Sequence, residues 1–230
     1  MKHKLIILLV LSSLSSIGQT VGIGQWRDYL PYKEAINLAE IDNTIYVATK
    51  LSLFTFNKNN NSLGRLSKVG GLSDIGISVM KKDSASQVII IAYENGNLDF
   101  LKEGVIYNLS DIKREALVGE KRINNISFIN NKAYLSCSFG VVELAIDNRE
   151  ITNTYHLNAN KNLSINDLAL FNDSLFAATD SGLYAASLSD NLSDFHNWEA
   201  KPFPESSPIK QIVPFNNQLI IANFSDSIYR

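Results

Sequence analysis

The sequence predicts an all-β fold, a β-propeller built from four-stranded antiparallel blades, with about five blades present. Short runs of bulky apolar residues recur along the chain and end on a small residue, at Ala48, Ala92, Ser136, Ala178 and Ala222. Successive small residues stand 44, 44, 42 and 44 positions apart. Each unit has apolar faces that it cannot bury alone, so the units must stack, and a four-stranded meander of this period is typical of a propeller blade.

In the first half of each unit, a strand leads through a turn into the apolar run. The first strands are predicted at residues 36–41, 77–80, 123–129, 165–171 and 209–215. A polar pair follows in four units, and Asn and Asp tolerate the positive φ of a tight hairpin turn. These pairs are Asp42-Asn43, Asn130-Asn131, Asn172-Asp173 and Asn216-Asn217. The second unit has Ser86-Gln87 in a longer connection, so its turn is predicted to differ.

The second half of each unit is predicted to add two more strands. Glycine turns at Gly96, Gly140 and Gly182 lead to third strands at residues 98–101, 141–146 and 183–186. More polar fourth strands are predicted at residues 63–69, 105–109, 151–157 and 197–201. The apolar runs lack the i, i+3, i+4, i+7 spacing of helical repeats. A β-sandwich and an irregular β-solenoid remain as alternatives.

The first residues have the pattern of an export signal. Lys2 and Lys4 precede an apolar stretch at residues 5–11, and mostly small residues follow at 12–18. This order predicts a signal peptide at residues 1–18, which leaves the propeller at residues 19–230. The apolar stretch is too short to span a bilayer, which needs about 20 residues. The protein is therefore expected in the periplasm or at the cell surface, peripheral to the outer membrane, with no transmembrane span.

Charge and motif content narrow the function classes. The net charge is −2, and removal of the signal peptide with its two lysines makes it −4. A mildly acidic chain without Lys/Arg runs does not indicate a nucleic-acid or anionic-membrane binder. The sequence has no Walker loop, no G-x-G-x-x-G and no G-x-S-x-G motif, and its three histidines and one cysteine offer no metal-ligand spacing. No cofactor and no metal are expected.

Candidate catalytic residues are few. Cys137 is the only cysteine, so it forms no intrachain disulfide, and it is interpreted as a buried structural thiol. His156 and His196 are the candidate bases, but they fall in different units. Two acid pairs stand at uninformative spacing: Asp28 with Glu34, and Asp167 with Asp173. The chain is therefore predicted not to be an enzyme, with a lyase or glycosidase that uses acids in the central channel as a further hypothesis.

The aromatic residues allow two interpretations. They are a sugar-stacking platform at one rim or, as favoured here, outer-strand residues that cover blade edges: Trp26, Tyr29, Tyr32, Trp198 and Phe203. Residues 25–32 are predicted to be an outer strand that joins the last blade and closes the ring. The fifth unit ends inside its third strand, so the chain is either a closed five-bladed ring or the front part of a larger, seven-bladed type of ring. The second interpretation is favoured.

Several segments, taken in order, resemble the PorZ family. They are Gln25-Trp26-Arg27-Asp28-Tyr29-Leu30-Pro31-Tyr32, Ile45-Tyr46-Val47-Ala48-Thr49, Val69-Gly70-Gly71-Leu72-Ser73-Asp74, the run from Ile90 to Asp99, and the run from Ala133 to Val142. The resemblance covers about residues 24–198 and continues more loosely to the end. The ordered set is considerably more specific than any single propeller motif.

The resemblance implies the N-terminal propeller of a surface component of the Bacteroidetes type IX secretion system. Family members also carry a second propeller and a C-terminal signal domain. They work at the outer membrane with the sortase PorU and the partners PorV and PorQ, and they are implicated in supplying anionic lipopolysaccharide for attachment to secreted cargo. On this basis the chain is expected to be a non-enzymatic scaffold that binds protein partners and cell-surface glycan. The alternative is the ligand-sensing propeller of a periplasmic two-component regulator. No ligand motif of the family maps onto single residues here, so no site residue is assigned.

Overall fold

A computed structural model of the protein describes residues 29–117, 119–203, 208–225 and 227–229. Within these residues the chain forms 19 β-strands, one short helix, α1 (Asp111–Arg114), and two 3-10 turns, Lys68–Gly70 and Phe195–Asn197. The strands make five antiparallel sheets, four of them with four strands and the last with three. Strands that follow one another in the chain also lie side by side in each sheet, as the sequence predicts for propeller blades.

The blades follow one another along the chain. The first blade contains β1 (Asn37–Ile41), β2 (Thr44–Ala48), β3 (Leu53–Asn57) and β4 (Ser62–Leu66). The second contains β5 (Ile77–Asp83), β6 (Val88–Tyr93), β7 (Leu98–Lys102) and β8 (Val105–Leu109). The third contains β9 (Ile123–Ile129), β10 (Lys132–Cys137), β11 (Gly140–Ala145) and β12 (Glu150–Tyr155). The fourth contains β13 (Ile165–Phe171), β14 (Ser174–Thr179), β15 (Gly182–Ser187) and β16 (Glu199–Lys201). The fifth contains β17 (Ile209–Phe215), β18 (Gln218–Asn223) and β19 (Ile228–Tyr229).

Local turn chemistry sets the hairpin between the first two strands of each blade. All eight residues of the four predicted polar pairs have positive φ, as tight hairpin turns of this type require. The second blade differs, as predicted. There the Asp83 carboxylate accepts hydrogen bonds from the Ser86 hydroxyl at 2.6 Å and from the Ser86 amide at 2.9 Å. This side chain replaces the polar pair and closes a longer turn.

The core lies between the sheets. Each of four apolar clusters combines side chains from two consecutive blades. In the cluster between the first two blades, Ala48 and Leu53 of one sheet pack with Met80 and Ile91 of the next. Full burial of one such large side chain stabilises the fold by about 1.5–3 kcal/mol. The small residues Ala48, Ala92, Ser136 and Ala178 are completely buried, so the neighbouring sheets can approach closely at these positions.

Leu38 occupies a position that is buried in every other blade. It pairs with Val47, the residue before the small residue of its blade. The same pairing position is held by Met80, Ile126, Leu168 and Ile212, none of which is more than 4% exposed. Leu38 is 68% exposed, because its sheet has no preceding sheet among the described residues to cover it.

Polar side chains join the innermost strands of neighbouring blades. These first strands are sheet edges, so one row of their backbone groups has no partner strand. The Asn37 side chain accepts a hydrogen bond from the Met80 amide at 2.9 Å. The Asn124 and Asn166 side chains donate to the carbonyls of Ile165 and Ile209 in the next blades, each at 2.9 Å. Without these bonds, the same backbone groups would have no partner at the inner edge of each sheet.

Several strand predictions need correction. The strand predicted at residues 77–80 runs on to Asp83, and the one predicted at 151–157 ends at Tyr155. The fourth strand predicted at residues 63–69 ends at Leu66, because the chain turns at Lys68–Gly70 before Gly71, which has a φ of 128°. The strand predicted at residues 197–201 begins at Glu199, because Phe195–Asn197 forms a 3-10 turn capped by the Asp194 side chain. The outer strand predicted at residues 25–32 is absent from its described part, residues 29–32. There Tyr32 contacts Phe54 of the first blade. Trp26 and the predicted signal peptide at residues 1–18 lie outside the described residues.

Candidate functional site

The turns after the second strands and the connections between blades emerge at the same end of each antiparallel sheet, here called the upper face. On the second blade this face carries the Gly96 turn, and helix α1 lies directly over it. A Cβ added at Gly96 would stand 2.7 Å from the Ile112 side chain and 3.1 Å from the Lys121 carbonyl oxygen. The glycine is needed there both for its φ of 82° and for this close approach.

Asp74 anchors the connection between the first two blades. Its nearly buried carboxylate accepts hydrogen bonds from the Lys113 ammonium at 2.6 Å and from the Asn95 amide at 2.7 Å, with Lys68 at 3.6 Å. Burial alone would raise the pKa of Asp74, but the bonds from Lys113 and Asn95 outweigh it and hold the pKa well below its usual range. The ionised carboxylate therefore fastens helix α1 to the second blade.

Asp99 forms a second anchor beneath the first. Its completely buried carboxylate accepts a hydrogen bond from the Tyr93 hydroxyl at 2.6 Å and from the Ser73 amide at 2.8 Å. The Asn108 side chain donates to the other oxygen at 2.9 Å. Burial and the neighbouring Asp99 raise the pKa of Tyr93, so its hydroxyl stays protonated. This network is fully paired and supports the upper face rather than offering a reactive group.

A cavity of about 300 Å³ opens on the upper face between helix α1 and strand β12. Its apolar wall includes Ile112, Phe139, Val142 and Ile151, of which the first three are buried and belong to the core between the second and third blades. The carboxylate residues Asp111 and Glu115 line its rim and are exposed. An apolar cavity with a few polar groups is the usual form of a binding site.

His156 also lines this cavity. Its Nδ1 lies 3.0 Å from the Phe139 carbonyl oxygen, which can only accept, so Nδ1 carries the proton of that bond and the ring orientation is fixed. Gly140 makes this arrangement possible. A Cβ added there would stand 2.4 Å from the Tyr155 carbonyl oxygen and 3.3 Å from the His156 ring.

The other candidate catalytic residues of the sequence analysis lie in surroundings that differ from the cavity. Cys137 is completely buried, burial raises the pKa of its thiol, and its sulfur lies 3.5 Å from the Leu135 carbonyl oxygen. These are the surroundings of a structural thiol. His196 sits instead on the exposed 3-10 turn of the fourth blade, with Nδ1 2.8 Å from Asp194.

The central channel is a second cavity, of about 550 Å³, lined by innermost strands of the second to fifth blades. Its charged residues are Lys81 and Asp167. Burial lowers the pKa of Lys81 and raises that of Asp167, whose carboxylate accepts hydrogen bonds from Leu168 and Ile212. Asp173, the proposed partner of Asp167 in an acid pair, lies in the hairpin turn beyond β13. Asp28, of the other pair, is outside the described residues.

The aromatic residues do not share one surface in the described part of the chain. Trp198 is buried, and its indole nitrogen donates to the Leu192 carbonyl at 2.9 Å. Phe203 packs edge-on against Tyr229, with ring centroids 4.8 Å apart. Tyr32 contacts Phe54 of the first blade, and Tyr29 is 88% exposed. The sugar-platform interpretation is therefore wrong for Trp198, which fills the space between the third and fourth blades.

A known protein family shares the repeats of this chain. The family model of the PorZ N-terminal β-propeller domain of the type IX secretion system matches residues 45–199, about two thirds of the chain. The chain belongs to the PorZ N-terminal propeller family. The match confirms the resemblance inferred from the ordered sequence segments. No curated protein sequence matches the chain.

Solved structures with a similar fold come from bacterial surface and sensor proteins. PorZ of Porphyromonas gingivalis is 23% identical with a TM-score of 0.78, over 90% of this chain and 28% of that protein. The extracellular domain of BT4673 from B. thetaiotaomicron, named as a one-component system, is 15% identical with a TM-score of 0.66, over 86% of this chain and 28% of its own. The extracellular domain of BT3049, from a hybrid two-component system of the same organism, is 13% identical with a TM-score of 0.61, over 85% of this chain and 26% of its own. The chain thus spans little more than a quarter of these proteins.

Two features of the site escaped the sequence analysis. Helix α1 and the cavity beneath it depend on residues from two blades, and no local motif marks them. The polar residues that join the innermost strands left a weak signal. Asn125 and Asp167 pair with the small residues Ser136 and Ala178 of their blades. The position of each polar residue could therefore have been found from the sequence repeat.

Proposed function

We propose that the chain is a non-enzymatic propeller module of the type IX secretion system attachment complex at the outer membrane. In this role it binds protein partners, the sortase and outer-membrane components, and contacts anionic lipopolysaccharide. The family match over residues 45–199 carries the proposal. The related protein from P. gingivalis is described as an essential bacterial surface component of that secretion system.

The chemistry of the described residues agrees with a scaffold. The most buried ionisable groups of the upper face, Asp74 and Asp99, are held by several hydrogen-bond donors each. The only thiol is buried away from both cavities. Side chains that are already fixed by hydrogen bonds lose little conformational entropy on binding, so a rim of this kind is suited to docking another macromolecule.

Affinity isolation tests the proposal. The full-length protein, tagged at its chromosomal locus, is purified from a detergent extract of outer membranes, and co-purifying proteins are identified by mass spectrometry. We expect enrichment of the sortase and its outer-membrane partners over a strain that carries the same tag on an unrelated exported protein. Equal recovery of these proteins in both strains would refute the partner assignment.

Lipopolysaccharide binding needs its own measurement. Purified full-length protein is titrated with the anionic lipopolysaccharide of its own organism and with a neutral glycan of similar length. Saturable binding of the anionic form alone is expected. Binding of neither, or of both alike, would remove glycan from the proposed function while leaving the protein partners in place.

The similarity to the extracellular domains of BT4673 and BT3049 favours one alternative, the ligand-sensing propeller of a two-component regulator. Gene structure separates the two functions. A transmembrane helix and a kinase domain encoded downstream in the same reading frame would favour the sensor. The described residues contain no helix with the length and hydropathy of a membrane span.

We further propose that residues 1–18 direct export and that residues 19–230 form part of a larger propeller. The exposure of Leu38, at a position buried in the other four blades, supports a further sheet packed against β1. Mass measurement of the exported protein should locate the new N-terminus near residue 19. An N-terminus at Met1 in the exported protein would contradict the signal-peptide assignment.

A further inference from the structure

We propose that the cavity between helix α1 and strand β12 binds one basic side chain, lysine or arginine, of a partner protein. The site would hold the aliphatic stem of that side chain against its apolar wall and its cationic head against the carboxylates of Asp111 and Glu115. This inference rests on the proposed function only in taking the side chain from a protein partner.

The wall of the cavity fits an aliphatic chain. Phe139 and Val142, from the third blade, and Ile112, from helix α1, form a surface that is already part of the packed core. These side chains are fixed by their neighbours, so little rotamer freedom is lost when a ligand contacts them. Lysine and arginine bury their methylene stems along surfaces of this kind while the charged end stays at the edge.

The rim supplies the complementary charge. Asp111 and Glu115 line the opening, and among the described residues no Lys or Arg lines it. Arg114 pairs with Asp111 from the same helix. Lys121 directs its ammonium to the backbone carbonyls of Lys113 and Glu115, at 2.8 and 2.6 Å. The Glu115 carboxylate has no ion-pair partner in the part of the chain that the structure describes, so it is available to an incoming cation.

The size of the cavity points to a single side chain. About 300 Å³ lies at the lower end of small-ligand sites, which span about 300–1,000 Å³. An extended oligosaccharide needs a longer groove. The cavity is also held open by the fold, because Gly96 lets α1 lie against the second blade and Gly140 lets β11 begin beside His156.

Small probes test the pocket without any partner. The purified protein is titrated with n-butylammonium chloride and, separately, with n-butanol, while the backbone amide signals are followed by NMR. The two probes share a stem and differ in charge. We expect saturable shifts for n-butylammonium at amides around Ile112, Phe139 and Thr154, and binding of n-butanol at least about threefold weaker, the effect of one exposed ion pair. Equal binding of the two probes, or shifts elsewhere only, would overturn the inference.

Variants add a matched comparison. Glu115→Gln should weaken n-butylammonium about threefold to fivefold. Glu150→Gln removes the same charge at the opposite end of β12, where the side chain is exposed, and should change nothing. Thr154→Trp places a bulky ring on an exposed residue of the cavity wall and should abolish the shifts. An unchanged affinity for n-butylammonium in a folded Glu115→Gln protein counts against the proposal. If a variant fails to fold, the comparison of the two probes on the unaltered protein still tests the proposal.

The source of the side chain is tested in the affinity isolation. Glu115→Lys in the tagged full-length protein should reduce recovery of at least one co-purifying protein about threefold or more relative to Glu150→Lys. If n-butylammonium binds the pocket but both variants recover the same partners, a protein side chain is not its ligand. If no partner is recovered even with the unaltered protein, the proposed function fails. The titration with the two probes still shows whether the cavity binds a cationic side chain.

Discussion

The Asp167 carboxylate, on the innermost strand of the fourth blade, accepts a hydrogen bond from the Ile212 amide on the innermost strand of the fifth, at 3.1 Å. It also accepts from the Leu168 amide at 2.8 Å and from the Asn125 side chain of the third blade. One buried side chain thus joins three consecutive blades. It does so because each innermost strand is a sheet edge whose backbone groups need partners.

Removal of this carboxylate should destabilise the fold. Asp167→Ala leaves the Ile212 and Leu168 amides without their acceptor, and each unpaired buried group costs about 1–3 kcal/mol. We expect a fall of about 2–4 kcal/mol in the free energy of unfolding, measured by urea denaturation. Asp190→Ala, on an exposed turn of the same blade, is the control and should cost under about 0.5 kcal/mol. Similar losses in the two variants would contradict the interblade role.

The stability of the third blade should depend on pH through Glu143. Burial alone would raise the pKa of this carboxyl, but hydrogen bonds from Lys132, Thr152 and Tyr155 outweigh it and lower the pKa from 4.5 to about 2. A depressed carboxyl pKa stabilises the fold above the unfolded-state value. That stabilisation is lost as the pH falls from about 4.5 to about 2.

Thermal unfolding at pH 7 and at pH 3 checks this dependence. Glu143→Gln should lose less stability between the two values than the unaltered protein does, by on the order of 2 kcal/mol. The mutation removes the titrating group, so the stability of the variant should change less with pH between these two values. Parallel curves for the two proteins would show that Glu143 does not govern the acid sensitivity.

Two glycines at matching positions should respond differently to alanine. Gly140 and Gly182 both begin the third strand of a blade with positive φ. A Cβ at Gly140 would meet the Tyr155 carbonyl oxygen at 2.4 Å, whereas a Cβ at Gly182 has open space. Gly182→Ala should cost about 1 kcal/mol from backbone strain alone, and Gly140→Ala clearly more, because backbone must also move. Equal urea midpoints for the two variants would rule out the close contact.

Leu38 and Leu168 hold the same position in the first and fourth blades, and this allows a test of interblade burial. Leu168 is 3% exposed and Leu38 is 68% exposed. Leu168→Ala should cost about 2–5 kcal/mol through the cavity it leaves, and Leu38→Ala under about 0.5 kcal/mol in a protein with this chain alone. A large loss for Leu38→Ala would mean that another part of the chain covers it.

Much of the fold could be predicted because each blade repeats short-range chemistry. The Asn130-Asn131 pair adopts positive φ for reasons contained in its own side chains. Each of the strands β9, β13 and β17 precedes such a pair, and all three have the bounds that the sequence predicts. Strand ends were less predictable. Val69 has a strand-like side chain, yet its backbone lies in a 3-10 turn because two glycines follow it.

The candidate site was beyond sequence reasoning for a different reason. Asp74 meets Lys113 across 39 positions, and the cavity takes its walls from a helix of four residues and a strand that begins 39 residues after that helix starts. No spacing within one repeat marks these contacts. They arise where a connection of one blade folds over the turn of another, and that depends on backbone clearances such as those at Gly96 and Gly140.

The sequence by itself determined the repeating unit, its strand order and the turns that close each hairpin, since these follow from side chains a few positions apart. Only the tertiary structure decided which polar groups are paired between blades, where a cavity opens on the upper face, and that Trp198 is buried. Those outcomes depend on how closely neighbouring sheets approach, and that distance is set by packing over the whole interface rather than by any one segment.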